Sequence, residues 1–266
     1  MRIITINVNG IRSALKKGLF DWLSTINPDI ICFQEIKASL EDIPTSLLNW
    51  HGYHTHFFSA EKKGYSGVAI FSKMKPNKII QGLDDDIFDG EGRYLQFDFD
   101  NFSVVSLYMP SGSSGPEMQM KKFTCMDVYQ KILQEKIKSN REYIICGDWN
   151  IAHQPIDLKN WRGNMKNSGF LPSEREWLSN VLNMGFVDTW RTLYPDIPGY
   201  TWWSNRGAAY TKDVGWRIDY QIATANIGKQ ITSAQIFKDI KFSDHAPLIV
   251  DYDSILYSLG IWCRYL

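Results

Sequence analysis

The sequence has no excess of charge of either sign: Lys and Arg number 29, and so do Asp and Glu. This excludes a chain that coats itself with cations to hold a polyanion, so any surface for an anionic polymer must be a local cluster offset elsewhere. Cysteine is scarce. Cys32, Cys125, Cys146 and Cys263 are the only four, and no two form a Cys-x-x-Cys pair. A thiolate zinc knot is thereby excluded, and the four are read as reduced thiols of a cytoplasmic protein. No apolar run reaches membrane-spanning length, and the first residues enter a strand-like stretch directly, with no signal core before it. No low-complexity linker divides the chain. Residues 1–251 are therefore expected to form one domain, followed by an unusually aromatic tail at 252–266.

What is present is an alternation of short apolar β-rich runs with helical patterns. Residues 2–6 and 29–34 read as buried strands, and between them Leu15, Leu19, Leu23 and Ile26 make one helical stripe over 15–26. Further strands are expected at 67–72, 93–99 and 102–108, the last two as an antiparallel hairpin, and a long helix at 117–138. The second half repeats the order, with a strand at 142–147, a helix at 174–183 and strands at 217–223, 231–237 and 245–251. Two comparable halves of mixed content predict an α/β protein with two sheets packed together and helices outside.

The informative feature is how the apolar strands stop. They run into Asn7-Val8-Asn9-Gly10, Gln34-Glu35, Tyr108 and Asp148-Trp149-Asn150; Asp219 follows Arg217-Ile218, and Ser243-Asp244-His245 precedes the last strand. Each alone has a bland reading, as a turn, a cap or a solvated acid. Together they describe one rim crowded with carboxylates and amides and carrying a single imidazole. Buried carboxylates need a partner or a metal, and this oxygen-rich set suits Mg²⁺ or Mn²⁺ rather than zinc. His54 and His56 share one face of a strand near His51, but no cysteine or carboxylate completes a zinc set there, and a surface strand is the simpler reading.

These blocks, with Gly-Tyr-Ser-Gly-Val at 64–68, Glu-Gly-Arg at 91–93, Tyr-Met-Pro at 108–110, Gly-Asn-Met-Lys-Asn-Ser-Gly-Phe at 163–170, Tyr-Thr-Trp-Trp at 200–203 and Val-Gly-Trp-Arg-Ile-Asp-Tyr at 214–220, cover nearly the whole chain in order. The chain resembles the exodeoxyribonuclease III and AP endonuclease family of the endonuclease/exonuclease/phosphatase superfamily. The resemblance implies a four-layered α/β sandwich (DNase I-like), two mostly antiparallel sheets flanked by helices. It implies a Mg²⁺-dependent DNA-repair nuclease, with Mn²⁺ as a substitute, acting as a monomer on double-stranded DNA with abasic sites, nicks or recessed 3′ ends.

By the same resemblance Glu35 leads the metal set, with Asn7, Asn9, Asp148, Asn150, Asp244 and His245 around it. Asp148 orients and deprotonates the attacking water, Asn150 holds that water or a phosphate oxygen, His245 supported by Asp219 donates to a phosphate oxygen, and Tyr108 does likewise. Lys37, Tyr65, Arg93, Asn164 and Asn167 are expected on the DNA backbone, Trp202 and Trp216 around a flipped-out abasic sugar, and Arg206 beside it. Ser111 stands where many family members have Asn, and some carry Asp at the place of Asn9. Two competing readings are a phosphatase of a small phosphate ester, which would share the core acids but has no use for 163–170 or the tryptophans, and a silent DNA-binding scaffold, against which the intact acids argue.

Overall fold

A computed structural model describes residues 1–253 of the chain. Its strands are, in chain order, β1 (Arg2–Asn7), β2 (Ile30–Gln34), β3 (His54–Phe58), β4 (Val68–Ser72), β5 (Lys78–Gln81), β6 (Tyr94–Asp98), β7 (Phe102–Tyr108), β8 (Glu142–Asp148), β9 (Phe186–Asp188), β10 (Trp202–Trp203), β11 (Gly215–Trp216), β12 (Asp219–Thr224), β13 (Ile231–Ile236) and β14 (Leu248–Tyr252). Two six-stranded sheets form, ordered β13-β14-β1-β2-β4-β3 and β5-β6-β7-β8-β12-β9, with β10-β11 as a separate ribbon. Each large sheet has one parallel pair, β1 with β2 and β7 with β8, and is otherwise antiparallel.

The central strands read as continuous apolar runs because both of their faces are covered. Ile3, Ile30, Cys32 and Val250 meet Leu95, Val104, Ile144 and Cys146 between the sheets. The outer face of the first sheet, with Ile4, Ile6, Phe33 and Phe71, packs on Ile11, Leu19, Phe20 and Leu23. The outer face of the second, with Val105, Ile145 and Ile222, packs on Met126, Tyr129, Leu133 and Leu178 of the helices Pro116–Lys138 and Pro172–Asn183. That is the four-layered sandwich.

Two expectations shift. The helix over 15–26 is two helices, Ile11–Lys16 and Leu19–Ile26, because Gly18 turns into the left-handed region (φ 80°) between them. Tyr252, assigned to the tail, closes β14 and its buried hydroxyl donates to Gln221 Oε1 at 2.9 Å. The rest of the tail, including Cys263, lies outside the described residues. The other three cysteines are buried free thiols; burial and the neighbouring Cys32 push the Cys146 thiol well above its ordinary range. Among the described residues no helix is long and apolar enough to cross a membrane.

Candidate active site

The two parallel pairs end at the same rim, and the antiparallel β12 starts there. Asn7 is paired with Gln34, and Asp148 lies between Tyr108 and Asp219. Thr5, Gln34 and Ser106, all buried, form a hydrogen-bonded layer between the sheets just beneath. At the rim the chain leaves its strands abruptly: Asn9, Glu35, Lys37 and Asn150 have φ of 43°, 56°, 50° and 52°. This region is unfavourable for L residues and is held only where surroundings over-determine it. Here Gly10 N–H donates to Glu35 O, and Ile36 and Lys37 N–H donate to Gly67 O and Ser66 O. Gly147, just before Asp148, admits no side chain, since a Cβ there would lie 2.0 Å from Leu107 O.

Asn7 is the hinge of the acidic group. Its Nδ2 donates to Glu35 Oε2 and Asp148 Oδ2, both at 2.9 Å, and its Oδ1 accepts Asn9 N–H. The Lys37 ammonium lies 2.9 Å from Glu35 Oε1 and 2.5 Å from Asn9 Oδ1. A cation is thus already held by oxygens that a hard divalent ion would use, so the residues around Glu35 fit one. Asn9 Nδ2 is committed to Asp244 Oδ1 at 3.0 Å, and Asp244 also accepts from Ser243 Oγ and from Trp202 Nε1 at 3.1 Å. Burial alone would raise the Asp244 pKa, but the charge of His245 and the Asn9 and Trp202 hydrogen bonds leave it below its ordinary value.

His245 faces two acids. Its Nδ1 is 2.8 Å from Asp219 Oδ2 and its Nε2 3.8 Å from Asp148 Oδ2. Burial disfavours the imidazolium, but Asp219 outweighs it and lifts the pKa to about 10. The His245 ring clusters with Asp148 and Asp219, their ligand atoms within 4.8 Å of one another, and when charged it is a hydrogen-bond donor on this rim. Burial, then the charge of Asp219, pushes Asp148 up to about 7, with His245 and Asn7 opposing. Thr201 Oγ1 accepts the N–H of Ile218 and Asp219, fixing the start of β12, and Asp219 Oδ1 is buried without a hydrogen-bond partner.

Asn150 N–H caps Asp148 Oδ1 at 2.9 Å, and its side-chain amide donates to Met109 O at 2.8 Å, which leaves Oδ1 for a ligand. Tyr108 is half-buried, and burial together with Glu35 keeps its phenol protonated well above the ordinary range. Arg93 departs from the expected DNA contact: at 2% exposure it cannot reach a backbone phosphate. Its guanidinium donates to Glu91, to Tyr108 O at 3.0 Å and to Tyr65 OH at 3.1 Å, and lies over the Tyr108 ring. It holds the two tyrosines.

Asn167 Nδ2 donates to Asn164 Oδ1 at 2.7 Å on a largely exposed loop with Arg162 and Lys166. Arg206 is exposed. Trp202 and Trp216 are register partners across the ribbon, edge to face at 6.3 Å, over Ala152, Leu158, Phe170 and Ile218. Gly169 seats the Trp216 ring, 3.2 Å from where its Cβ would be. Trp202 also bridges to His245, which joins this half-open apolar floor to the acidic rim. Sequence reasoning missed Arg12 and Lys16, which line a groove of about 430 Å³ with Lys37 beside Glu35. Their signal was a basic pair one helical turn apart after Gly10. His56 Nε2 donates to Gln81 Oε1 at 2.9 Å, and the described residues hold no zinc set around it.

Two carboxylates, an imidazolium and a neutral phenol converging on one rim are the apparatus of a phosphate-ester hydrolase. The model of the endonuclease/exonuclease/phosphatase family matches residues 4–245, and the chain belongs to that family. An exodeoxyribonuclease of Bacillus subtilis (strain 168) is 39% identical over 250 residues, covering 93% of this chain and 98% of that protein. The DNA repair nuclease APEX1 of Danio rerio is 36% identical over 251 residues, covering 93% and 81%. The solved structure of an AP endonuclease from Archaeoglobus fulgidus superposes with a TM-score of 0.87 at 29% identity, covering 95% of this chain and 99% of that one. The chain is a DNA-repair nuclease of the exodeoxyribonuclease and AP endonuclease branch.

Proposed function

We propose that this nuclease is Mg²⁺-dependent, with Mn²⁺ able to substitute, and cuts duplex DNA at abasic sites through a single phosphate site that also trims 3′ ends. The observation that carries this is the adjacency of the Trp202–Trp216 floor to His245 and Asp148. An apolar floor suits a sugar that lacks its base and offers no polar partner to a base. A divalent cation held at Glu35 would neutralise phosphate charge and stabilise the leaving oxygen.

The remaining work belongs to the chain. His245, charged, and Tyr108, neutral, donate to non-bridging phosphate oxygens. Asp148 takes the proton of the attacking water, and Asn150 Oδ1 holds that water in line. Lys37, Tyr65, Asn164, Asn167 and Arg206 position the duplex. The enzyme acts as a monomer on this reading.

Two end-labelled duplexes test the reading, one with an internal abasic analogue and one with a nick ending in 3′-phosphate, each with Mg²⁺ or with EDTA. Fast incision at the abasic analogue is expected only with Mg²⁺, and Trp216→Ala should lower kcat/KM there by about tenfold or more. Removal of the 3′-phosphate with little incision would replace the abasic reading by 3′-end processing. Incision in EDTA would overturn the metal requirement.

A further inference from the structure

Lys122 and Glu174 take no part in the chemistry above, yet they form a wholly buried ion pair. Lys122 Nζ is 2.6 Å from Glu174 Oε1, and both side chains are 0% exposed. They come from different helices, Lys122 from Pro116–Lys138 and Glu174 from the first turn of Pro172–Asn183. Burying two charges costs more than apolar packing at the same places, so such a pair is poorly explained by stability alone. Burial pulls the Lys122 pKa below its ordinary value, with the Glu174 charge opposing.

The remaining partners of both charges lie in segments that build the site. Lys122 Nζ donates to Asn150 O at 2.6 Å. Glu174 Oε2 accepts the N–H of Gly169 at 2.7 Å and of Leu171 at 3.0 Å. Glu174 Oε1 accepts from Gln119 Nε2 at 3.1 Å, and Gln119 packs so closely on Gly112 that a Cβ there would lie 2.2 Å from its Oε1. The Asp148–Asn150 turn, the loop at 163–170 and the loop at 111–116 therefore meet at one pair. Helix capping by Glu174 accounts for its contact with Leu171. It does not account for the ammonium on the carbonyl of Asn150, a residue held at a left-handed φ of 52°.

We propose that Lys122 and Glu174 are positioning residues, a buried strut that sets the Asn150 turn in register with the DNA-facing loop 163–170. The proposal rests on the role given to Asn150 above.

The test is the charge-neutral double variant Lys122→Met/Glu174→Gln, made in the full chain alone and with Asn150→Ala. Thermal unfolding, kcat and KM are measured on the abasic duplex with Mg²⁺. The double variant is expected to unfold within a few degrees of the parent, with kcat lowered by about tenfold or more and KM changed less than kcat. In the Asn150→Ala background the same pair of changes should cost little further kcat, because both act through one group. A folded double variant with parental kcat overturns the strut, and so does an equal loss with and without Asn150. If Asn150→Ala alone keeps full activity, the role of Asn150 fails first, and the strut falls with it. Should the double variant not fold, Glu174→Asp keeps both charges and draws the carboxylate back by one methylene. It is expected to lower kcat by about fivefold or more; parental kcat and KM in folded Glu174→Asp also overturn the proposal.

Discussion

Proton occupancy at the site turns on Asp148 and His245, whose facing atoms are 3.8 Å apart. Burial and Asp219 lift Asp148 to about 7, so it gains a proton, and ceases to be a base, as pH falls through neutrality. Asp219 lifts His245 to about 10 against the opposing effect of burial, so the imidazolium persists until strongly alkaline pH. The expected kcat/KM profile rises near pH 7, stays flat, and falls toward pH 10, each limb belonging to the coupled pair rather than to one residue. Asp219→Asn removes the main support of the imidazolium and a source of repulsion on Asp148, so both limbs should move to lower pH. A descending limb that stays in place in Asp219→Asn would show that His245 is not the group that loses its proton there. The acids, amides and histidine of this site were legible because each interrupts or ends an apolar strand. Lys122 and Glu174 were not, because a charged residue in a mixed helix reads as solvated until packing shows it buried, and Arg93 was named for the DNA backbone where packing shows it buried against Tyr65 and Tyr108. Lys37 was found for its charge, but its hold on Glu35 required the turn geometry.

Among the elements, those buried on both faces were the most visible in advance, although the exposed edge strand β13 was also read from its sequence. β1, β2, β4, β7 and β8 are nearly uninterrupted apolar runs, whereas β3 and β5 lie at sheet edges with half-exposed or exposed faces and little apolar pattern. The ribbon β10-β11 has two residues per strand and no period to read. What fixes the chain between β11 and β12 is Arg217, 1% exposed, whose Nε donates to Asp157 Oδ1 at 2.7 Å and Nη1 to Asp188 Oδ1 at 3.1 Å. Its neighbour Trp216 pairs with Trp202 across the ribbon, so this buried pairing fixes the backbone beneath the apolar floor. Arg217→Leu should lower unfolding free energy by about 3–5 kcal/mol at neutral pH, because it takes a buried cation from both Asp157 and Asp188 and leaves Asp157 with Arg191 alone. Burial alone would raise the pKa of Asp157, but Arg217 and Arg191 hold it below the ordinary range. Its ion-pair contribution is therefore present above that range and lost as pH falls through the depressed value. The gap between Arg217→Leu and the parent in urea unfolding should narrow in acid, where Asp157 is protonated in both. A loss under about 1 kcal/mol at neutral pH would reduce the pair to the value of a surface contact.

For the whole molecule, zero net charge and a polyanionic substrate are reconciled by placement. Arg12, Lys16 and Lys37 line the groove beside Glu35, and exposed Lys159, Arg162 and Lys166 flank the loop that carries Asn164 and Asn167. The rim between them is where strands of both sheets end, which makes it the docking face on the proposed reading. Lys78 is equally exposed but sits on β5 opposite Asp98, at the far end of its sheet from Tyr108. Binding of an abasic duplex, measured in EDTA so that nothing is cut, should weaken steeply with salt, the logarithm of affinity falling by about 0.9 per neutralised phosphate for each unit of log salt. Lys166→Glu should weaken binding and flatten that slope by about one to two contacts. Lys78→Glu makes the same change in net charge and should leave the slope where it was. Equal effects from the two reversals would mean that the overall field governs binding and that the basic rim is not the docking face. A slope that responds only to Lys166 ties affinity to the same rim that carries Glu35, Asp148 and His245.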